Sequence, residues 1–232
     1  GLACLSTAGA IRIPRVLGSS EFDGTAWLAL EWLDLKKPDD EAFARLGIQL
    51  ARLHETRAAR FGLDRDNFIG STPQPNTQSD DWSTFFLETR LGFQLARLAE
   101  THTEIDAGRQ LARLRQAWLG QFDGYQPQAS LLHGDLWSGN VATLGRDEHR
   151  DEGVVFDPAV HYGDRECDLA MADLFGGFDA GFFAAYQGHW PLQRGWRERR
   201  RFYQLYHLLN HANLFGGHYV GICRKLIDQL GE

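Results

Sequence analysis

The spacing of hydrophobic residues changes several times along the chain, and each change predicts a different element. Apolar runs at 11–17 and 25–33, separated by a polar turn at 18–24, predict two adjacent strands that form a hairpin. After Asp39 or Asp40, either of which could cap a helix, apolar residues recur at spacings of three and four. These residues are Phe43, Leu46, Leu50 and Leu53. The periodicity is lost from 61 to 80, which predicts a long ordered loop or an excursion of the chain.

The remainder of the chain predicts strands and helices in separate groups. Helical spacing returns at 81–99 and 105–119, and helices are predicted from 164 to the end. Between them, 131–132 and 154–156 predict two short strands, each followed closely by an acidic residue, with an exposed hairpin tip at 145–153. Because strands and helices do not alternate regularly, the predicted fold class is α+β.

Candidate catalytic residues follow the two predicted strands of this middle region. His133, Asp135 and Asn140 have the His-x-Asp-x-x-x-x-Asn spacing of a kinase catalytic loop, with glycine where arginine is usual. Phosphoryl transfer needs an oriented hydroxyl group and cations around the phosphate oxygens. We therefore expect Asp135 to accept the hydroxyl proton, and Asn140 and Asp157 to hold Mg²⁺ on the nucleotide phosphates. A lone His-Gly-Asp could be a chance turn, but the flanking strands and the second acidic position favour a phosphotransferase.

Composition excludes some other functions. The 232 residues include 24 basic and 31 acidic side chains, and a net charge of −7 argues against a general nucleic-acid binder. No apolar run approaches the ~18 residues that span a bilayer, and no leader opens the chain, so a cytoplasmic protein without a membrane partner is expected. Three cysteines, Cys4, Cys167 and Cys223, favour buried free thiols over a redox site.

The sequence resembles the fructosamine kinase family, also called ketosamine-3-kinases, within the protein-kinase-like fold. The segments that carry the resemblance are 61–70, 72–76, Asp81-Trp82, 132–140, 156–160, 163–166 and 206–211. Aminoglycoside phosphotransferases and choline kinases share the His-x-Asp pattern. They lack the Leu-Trp-Ser-Gly-Asn completion at 136–140 and the loop at 61–76.

The resemblance implies ATP-dependent phosphorylation of the sugar 3-hydroxyl of a ketoamine, carried by a small amine or a protein lysine. The unstable 3-phosphate then detaches from the amine, which removes the sugar. Asp135 matches the family's base, and Asn140 and Asp157 match its Mg²⁺ ligands. Adenine would meet backbone groups of a hinge formed by Leu30, Glu31, Trp32 and Leu33.

The resemblance also predicts how the chain is organised. Residues 1–33 match a remnant of an N-terminal kinase lobe, comprising the tail of a helix, the last two strands and the hinge. Residues 34–232 match a mostly helical C-terminal catalytic lobe that includes the catalytic hairpin. The family's Gly-rich loop, lysine and partner glutamate would precede Gly1, so a molecule that truly begins at Gly1 is expected to lack useful kinase activity.

Four other residues are candidate substrate contacts, and a fifth is a candidate structural support. The substrate candidates are His133, Trp137, Trp82 and Asp164. Asp168 resembles the kinase-fold aspartate that braces the catalytic loop. Phe85 and Phe86 are expected in the core because their spacing is helical.

Two further clusters are given structural interpretations. His207 and His211, with His218 nearby, are expected to pack rather than to bind zinc, which needs three or four ligands. Arg194, Arg197, Arg199, Arg200 and Arg201 are expected to form a solvated helix face, with a docking patch for acidic protein substrates as the alternative.

Two other functions remain open from the sequence. The same fold could phosphorylate another small hydroxylated metabolite, as aminoglycoside and choline kinases do. An inactive, truncated lobe could instead serve as a binding module. The sugar preference, the natural target and the oligomeric state do not follow from the sequence.

Overall fold

The N-terminal part combines one short helix with an antiparallel hairpin. The structure is a computed structural model that describes residues 1–144 and 152–231. Helix α1 (Leu2–Ala8) is followed by β1 (Val16–Phe22) and β2 (Thr25–Leu30), in which Phe22 pairs with Thr25. The predicted hairpin is present, but the predicted limits are wrong, because residues 18–22 pair with 25–29 instead of forming a turn. The turn is confined to Asp23 and Gly24, whose φ angles of 50° and 69° match the twist of the two strands.

The first long helix begins where the polar break ends. After β3 (Leu35–Lys36), α2 (Asp40–His54) starts at Asp39, whose carboxylate accepts a hydrogen bond from the backbone N–H of Ala42 at 2.9 Å. The predicted loop at 61–80 contains a small hairpin of β4 (Asn67–Ile69) and β5 (Thr72–Gln74). These short strands were not predicted, because three-residue strands leave almost no periodicity in the sequence.

A continuous helical segment and a second long helix follow. The segment consists of α3 (Trp82–Thr84), a π-helical stretch (Phe85–Gly92) and α4 (Phe93–Thr101), and α5 (Ala107–Gln121) packs against it. The two helices predicted at 81–99 and 105–119 are therefore confirmed, although the periodicity did not reveal the π-helical stretch.

Short strands carry the predicted catalytic segments. Strand β6 (Ser130–Leu132) pairs antiparallel with β9 (His161–Gly163). Strands β7 (Val141–Leu144) and β8 (Gly153–Val155) pair with each other, and β7 also pairs with β3. Of the predicted hairpin tip, 145–151 lies outside the described residues. The remaining elements are α6 (Glu166–Leu174), α7 (Ala180–His189), α8 (Trp196–Phe215) and α9 (His218–Leu230).

Strand β6 lies between two hydrophobic clusters. Leu132 packs in a cluster formed mainly by residues 82–101 together with α5, α8 and α9. Leu131 packs in the other, formed by α1, α2 and α7 with β8. Successive side chains of a strand point to opposite faces, so one short strand joins both clusters and holds the next residue, His133, between them.

The segment 1–33 divides between buried and exposed parts. Leu5, Ile11 and Ile13 are buried in the cluster with α2 and α7, whereas β1 and most of β2 are exposed. The boundary after residue 33 stays a prediction. In the described part of the chain, no helix combines the length and the apolar character needed to cross a membrane.

Candidate active site

Asp135, Asn140 and Asp157 are close together although the first and the last are 22 positions apart in the sequence. Asn140 Nδ2 donates a hydrogen bond to the backbone O of Asp135 at 2.9 Å and lies 3.4 Å from its Oδ2. The same nitrogen is 3.5 Å from the backbone O of Asp157. The pairing of β7 with β8 produces this proximity, because Asn140 directly precedes β7 and Asp157 lies just beyond β8.

Close backbone packing holds the catalytic loop against the segment that follows Asp157. The N–H of Ala159 donates to the backbone O of His133 at 2.8 Å. Gly134 has a φ of 84°, and a Cβ placed on it would lie 2.0 Å from the backbone O of Ala159. Both observations require glycine between His133 and Asp135.

Asp168 also binds the backbone of the same loop. Its carboxylate accepts hydrogen bonds from the backbone N–H groups of His133 and Gly134, both at 2.8 Å. Asp168 is 1% exposed, so water does not compete for these bonds. The two bonds fix the course of the backbone immediately before Asp135.

His133 is fully buried, and its ring forms hydrogen bonds with the backbone of the catalytic loop and of the strand end that follows it. Burial lowers its pKa, so the ring is neutral near pH 7. Its Nδ1 accepts a hydrogen bond from the N–H of Asp135 at 3.3 Å, and its Nε2 donates to the backbone O of Phe156 at 3.0 Å. The sequence offered His133 as a substrate contact, and that prediction is wrong because the side chain has no exposed surface.

The environment of Asp135 raises the pKa of its carboxyl group to about 7. Burial is the main cause, and the negative charges of Asp168 and Asp157 act in the same direction. The hydrogen bond from Asn140 opposes the shift. A carboxylate with this pKa is a stronger base than an exposed aspartate and can accept a hydroxyl proton.

The donor atoms at the site suit a hard divalent cation. Asn140 directs its Nδ2 toward Asp135 and the backbone of Asp157, which leaves its Oδ1 available to a cation. Asp157 is exposed and has a φ of 53°, in the left-handed region that aspartate adopts more readily than most residues. Carboxylate and amide oxygens are the ligands that Mg²⁺ prefers, so the residues present fit this ion.

The two aromatic candidates differ in their exposure. Trp137 is 41% exposed, two residues after Asp135, and can contact a bound molecule. Trp82 is 4% exposed and packs against Phe85 and Phe86 in the core. The proposed substrate contact at Trp82 is therefore wrong, because helix packing covers the ring that was to stack on a sugar.

Asp164 is also excluded from contact with substrate. It is fully buried and accepts hydrogen bonds from the hydroxyl groups of Tyr125 and Tyr203 and from the N–H of Glu166. Burial raises its pKa despite these bonds. Asp164 thus organises the start of α6.

The predicted hinge, Leu30 to Leu33, connects β2 to β3. The carboxylate of Glu31 accepts hydrogen bonds from the Arg12 guanidinium at 2.7 Å and from the N–H of Arg15 at 3.1 Å, which lower its pKa. Trp32 is 93% exposed. Since β3 pairs with β7, the hinge leads into the sheet that also carries Asn140.

The arginine cluster, the histidine pair and the cysteines of the sequence analysis lie mainly in packed surroundings. Arg199 is 2% exposed and forms a bidentate ion pair with Glu166 at 2.6 and 2.9 Å, so the prediction of a fully solvated basic face is wrong at this residue. His207 is buried, and the described residues contain no group of three or more His, Cys, Asp or Glu that could hold a metal ion. Cys167 and Cys223 are buried, and burial raises the pKa of both thiols.

Two residues from the segments 61–70 and 72–76, which carried the family resemblance without an assigned role, support the site. Gln74 donates to the backbone O of Ala159 at 3.0 Å, and Asn67 donates to that of Val160 at 2.8 Å. The β4–β5 hairpin therefore supports the segment after Asp157. No local pattern identifies such contacts, because they join residues 85 and 93 positions apart.

Known proteins resemble this chain over nearly its whole length. The family model described as fructosamine kinase matches residues 1–232. A probable ketoamine kinase of Synechocystis is 42% identical over 231 residues, which cover 99% of this chain and 76% of the relative. A crystal structure from Haemophilus somnus 129PT, which carries the name fructosamine-3-kinase, has a TM-score of 0.88 and 33% identity, covering 99% of this chain and 76% of the other.

A more distant structure shows the fold alone. The ADP-bound aminoglycoside phosphotransferase APH(2'')-Ib has a TM-score of 0.57 and 12% identity, covering 96% of this chain and 75% of the other. The α+β fold is therefore protein-kinase-like, as the sequence predicted. The chain belongs to the fructosamine kinase family of phosphotransferases.

Proposed function

We propose that the protein is an ATP-dependent kinase that phosphorylates the sugar 3-hydroxyl of ketoamines, on small amines or on glycated lysine side chains. The observation that carries this proposal is the convergence of Asp135, Asn140 and Asp157, in a chain 42% identical to a probable ketoamine kinase. The distant phosphotransferase structure contains ADP, which supports a nucleotide as the phosphoryl donor.

Asp135 supplies the base for the reaction. The hydroxyl oxygen of the acceptor attacks the γ-phosphorus, the bond from that phosphorus to the β–γ bridging oxygen breaks, and the acceptor proton moves to an Asp135 carboxylate oxygen. Burial and neighbouring negative charges raise the pKa of Asp135 to about 7, which suits it to accept this proton. Asp168 and His133 keep the carboxylate in place through the loop backbone.

Asn140 and Asp157 would hold Mg²⁺, which neutralises charge on the phosphate oxygens when it is bound. The remaining contacts would come from Trp137 and the hinge. Trp137 offers an exposed aromatic face next to Asp135, which is suited to the apolar face of a sugar or to the ketoamine amine. Leu30 to Leu33 would receive adenine through their backbone groups.

The test is an acceptor assay on the complete protein. ADP release is measured with ATP, Mg²⁺ and either fructoselysine or ribuloselysine, and ³¹P NMR together with release of free lysine identifies phosphorylation at the 3-position. Asp135→Asn should lower kcat by on the order of 100-fold or more, because it removes the base and keeps the shape of the side chain. Asp123→Asn, at an exposed loop aspartate, is the matched control and should retain full activity.

Three results would contradict the proposal. Unchanged turnover in Asp135→Asn would remove the assigned base. Turnover of choline or an aminoglycoside in place of both ketoamines would indicate a related small-molecule kinase. Binding of ketoamine without any turnover by the complete wild-type protein would indicate a binding module.

A further inference from the structure

Asp168 has a third hydrogen-bond donor besides the two N–H groups of the catalytic loop. His54, the last residue of α2, places its Nε2 3.1 Å from Asp168 Oδ2. Its other ring nitrogen, Nδ1, lies 2.8 Å from the hydroxyl of Tyr186 on α7. That hydroxyl is in turn 3.2 Å from the guanidinium of Arg165.

We propose that His54 and Tyr186 are positioning residues for the phosphoryl transfer, because they hold the carboxylate that orients the catalytic loop. We use the name relay for this chain of hydrogen-bonded side chains, which runs from Arg165 through Tyr186 and His54 to Asp168. The activity test of this proposal rests on the proposed function. The geometry of the relay can be tested without that function.

The carboxylate of Asp168 sets the direction of the bonds in the relay. A carboxylate only accepts, so the His54 Nε2 that faces it carries a hydrogen and donates to Asp168 Oδ2. In the neutral ring Nδ1 then accepts from the Tyr186 hydroxyl, whose oxygen accepts from Arg165. The two loop N–H groups bond one carboxylate oxygen each, and His54 adds a second donor to Oδ2.

Burial makes each of these bonds important for orientation. His54 and Tyr186 are both 0% exposed, and Asp168 is 1% exposed. Oδ2 of Asp168 is shared between the backbone N–H of His133 and the ring of His54. Without His54, one buried carboxylate oxygen would lose a partner that water cannot replace, and the carboxylate could rotate away from the loop.

Helix packing brings the two side chains together. A Cβ at Gly47 of α2 would lie 2.3 Å from the backbone O of Phe182 and 3.1 Å from the N of Tyr186, so the missing side chain lets α7 approach closely. His54 is seven residues, about two turns, beyond Gly47 and shares its face of α2. The close approach therefore sets the distance between His54 and Tyr186.

The outer end of the relay is anchored beyond α7. Arg165 donates to the backbone O of Trp190 at 2.8 Å and to that of Pro191 at 2.6 Å. Its guanidinium lies 4.1 Å from the centroid of the Trp190 ring. With this anchor, the relay joins α2, α7 and the following loop to the backbone of the catalytic loop.

The activity test compares three variants of the complete protein. His54→Leu removes both hydrogen bonds and should lower kcat by on the order of 10- to 100-fold with little change in KM for ATP or acceptor. His54→Gln can donate through its amide N and accept through its amide O, so it should restore most of the kcat. Tyr186→Phe removes one hydroxyl and should lower kcat less than His54→Leu.

The matched control is Tyr125→Phe, which removes a tyrosine hydroxyl that also bonds a buried carboxylate, that of Asp164. It should lower the thermal midpoint without lowering kcat. Unchanged kcat in Tyr186→Phe and His54→Leu would overturn the proposal, as would equal loss in His54→Leu and His54→Gln. If His54→Leu does not fold, Tyr186→Phe and His54→Gln still decide the question.

A spectroscopic test needs no turnover. In ¹⁵N NMR of the resting protein, His54 should show the hydrogen on Nε2, and Tyr186→Phe should shift the Nδ1 resonance. A hydrogen on Nδ1 with none on Nε2 would overturn the relay, because Nε2 could not then donate to Asp168. If the wild-type protein does not phosphorylate ketoamines, the proposed function fails, whereas this spectrum and the rate of ATP hydrolysis still test the relay.

Discussion

Gly134 determines how closely the catalytic loop can approach the segment that carries Asp157. Its φ of 84° and the 2.0 Å separation between an ideal Cβ position and the Ala159 backbone O leave no room for a side chain. Because Ala159 also donates to His133, the two segments are held together on both sides of this glycine. The arginine that is usual between histidine and aspartate in kinase loops cannot be accommodated here.

Gly134→Ala should therefore destabilise the protein by about 2–4 kcal/mol, from the left-handed backbone conformation and the clash together. Equilibrium denaturation with urea measures this loss, and kcat should fall because Asp135 is displaced. Gly124→Ala is the matched control, since Gly124 has a φ of 67° with no atom within 4 Å of its Cβ position. It should cost only about 1 kcal/mol. Equal losses in the two variants would show that the contact with Ala159 is unimportant.

Helices α2 and α7 pack closely, and the site depends on this contact. Apolar residues of α2 face the cluster shared with α7, and Gly47 lets the two backbones approach. His54 at the end of α2 and Tyr186 on α7 meet as a consequence. The packing of these two helices therefore affects the position of the catalytic loop through Asp168.

Gly47→Ala should separate these helices and destabilise the protein by about 1–3 kcal/mol, because the new methyl group meets the backbone of Phe182. Gly188→Ala, on α7 with no atom within 4 Å of the Cβ position, should instead be neutral or stabilise by up to about 1 kcal/mol. Thermal and urea denaturation measure both changes. A stabilising Gly47→Ala would contradict the close contact described for the two helices.

Buried histidines link the stability of the whole molecule to pH. Burial lowers the pKa of His133, of His161 and of His207, the last to about 3 with a further contribution from His211. In the unfolded chain these rings bind protons near pH 6.5, whereas in the folded protein they do not. The unfolded state therefore gains protons as the pH falls, and folding becomes less favourable.

For His207 alone, the pKa of about 3 implies that the free energy of unfolding falls by about 2 kcal/mol between pH 7 and pH 5. Urea denaturation at a series of pH values measures this slope. His207→Leu should make the fall in unfolding free energy between pH 7 and pH 5 smaller by about 2 kcal/mol, whatever its effect on stability at pH 7. An unchanged slope would show that His207 takes up a proton equally in both states.

The sequence alone was enough to predict the helices with clear three- and four-residue periodicity, the α+β class and the family. Its motifs also selected Asp135, Asn140 and Asp157, because a catalytic loop and a following strand are local patterns of fixed spacing. Local spacing did not determine the limits of the first hairpin, where pairing with 25–29 extends the strand through 18–22.

Only the tertiary structure decided which polar and aromatic residues face the site. It buried Trp82, Asp164 and Arg199, and it brought His54 to Asp168 across 114 positions of sequence. A side chain's burial and its distant partners depend on how separate helices pack, which periodicity within one helix does not encode. The chemistry of the candidate base is therefore predictable from a motif, whereas its orientation depends on contacts between elements far apart in the chain.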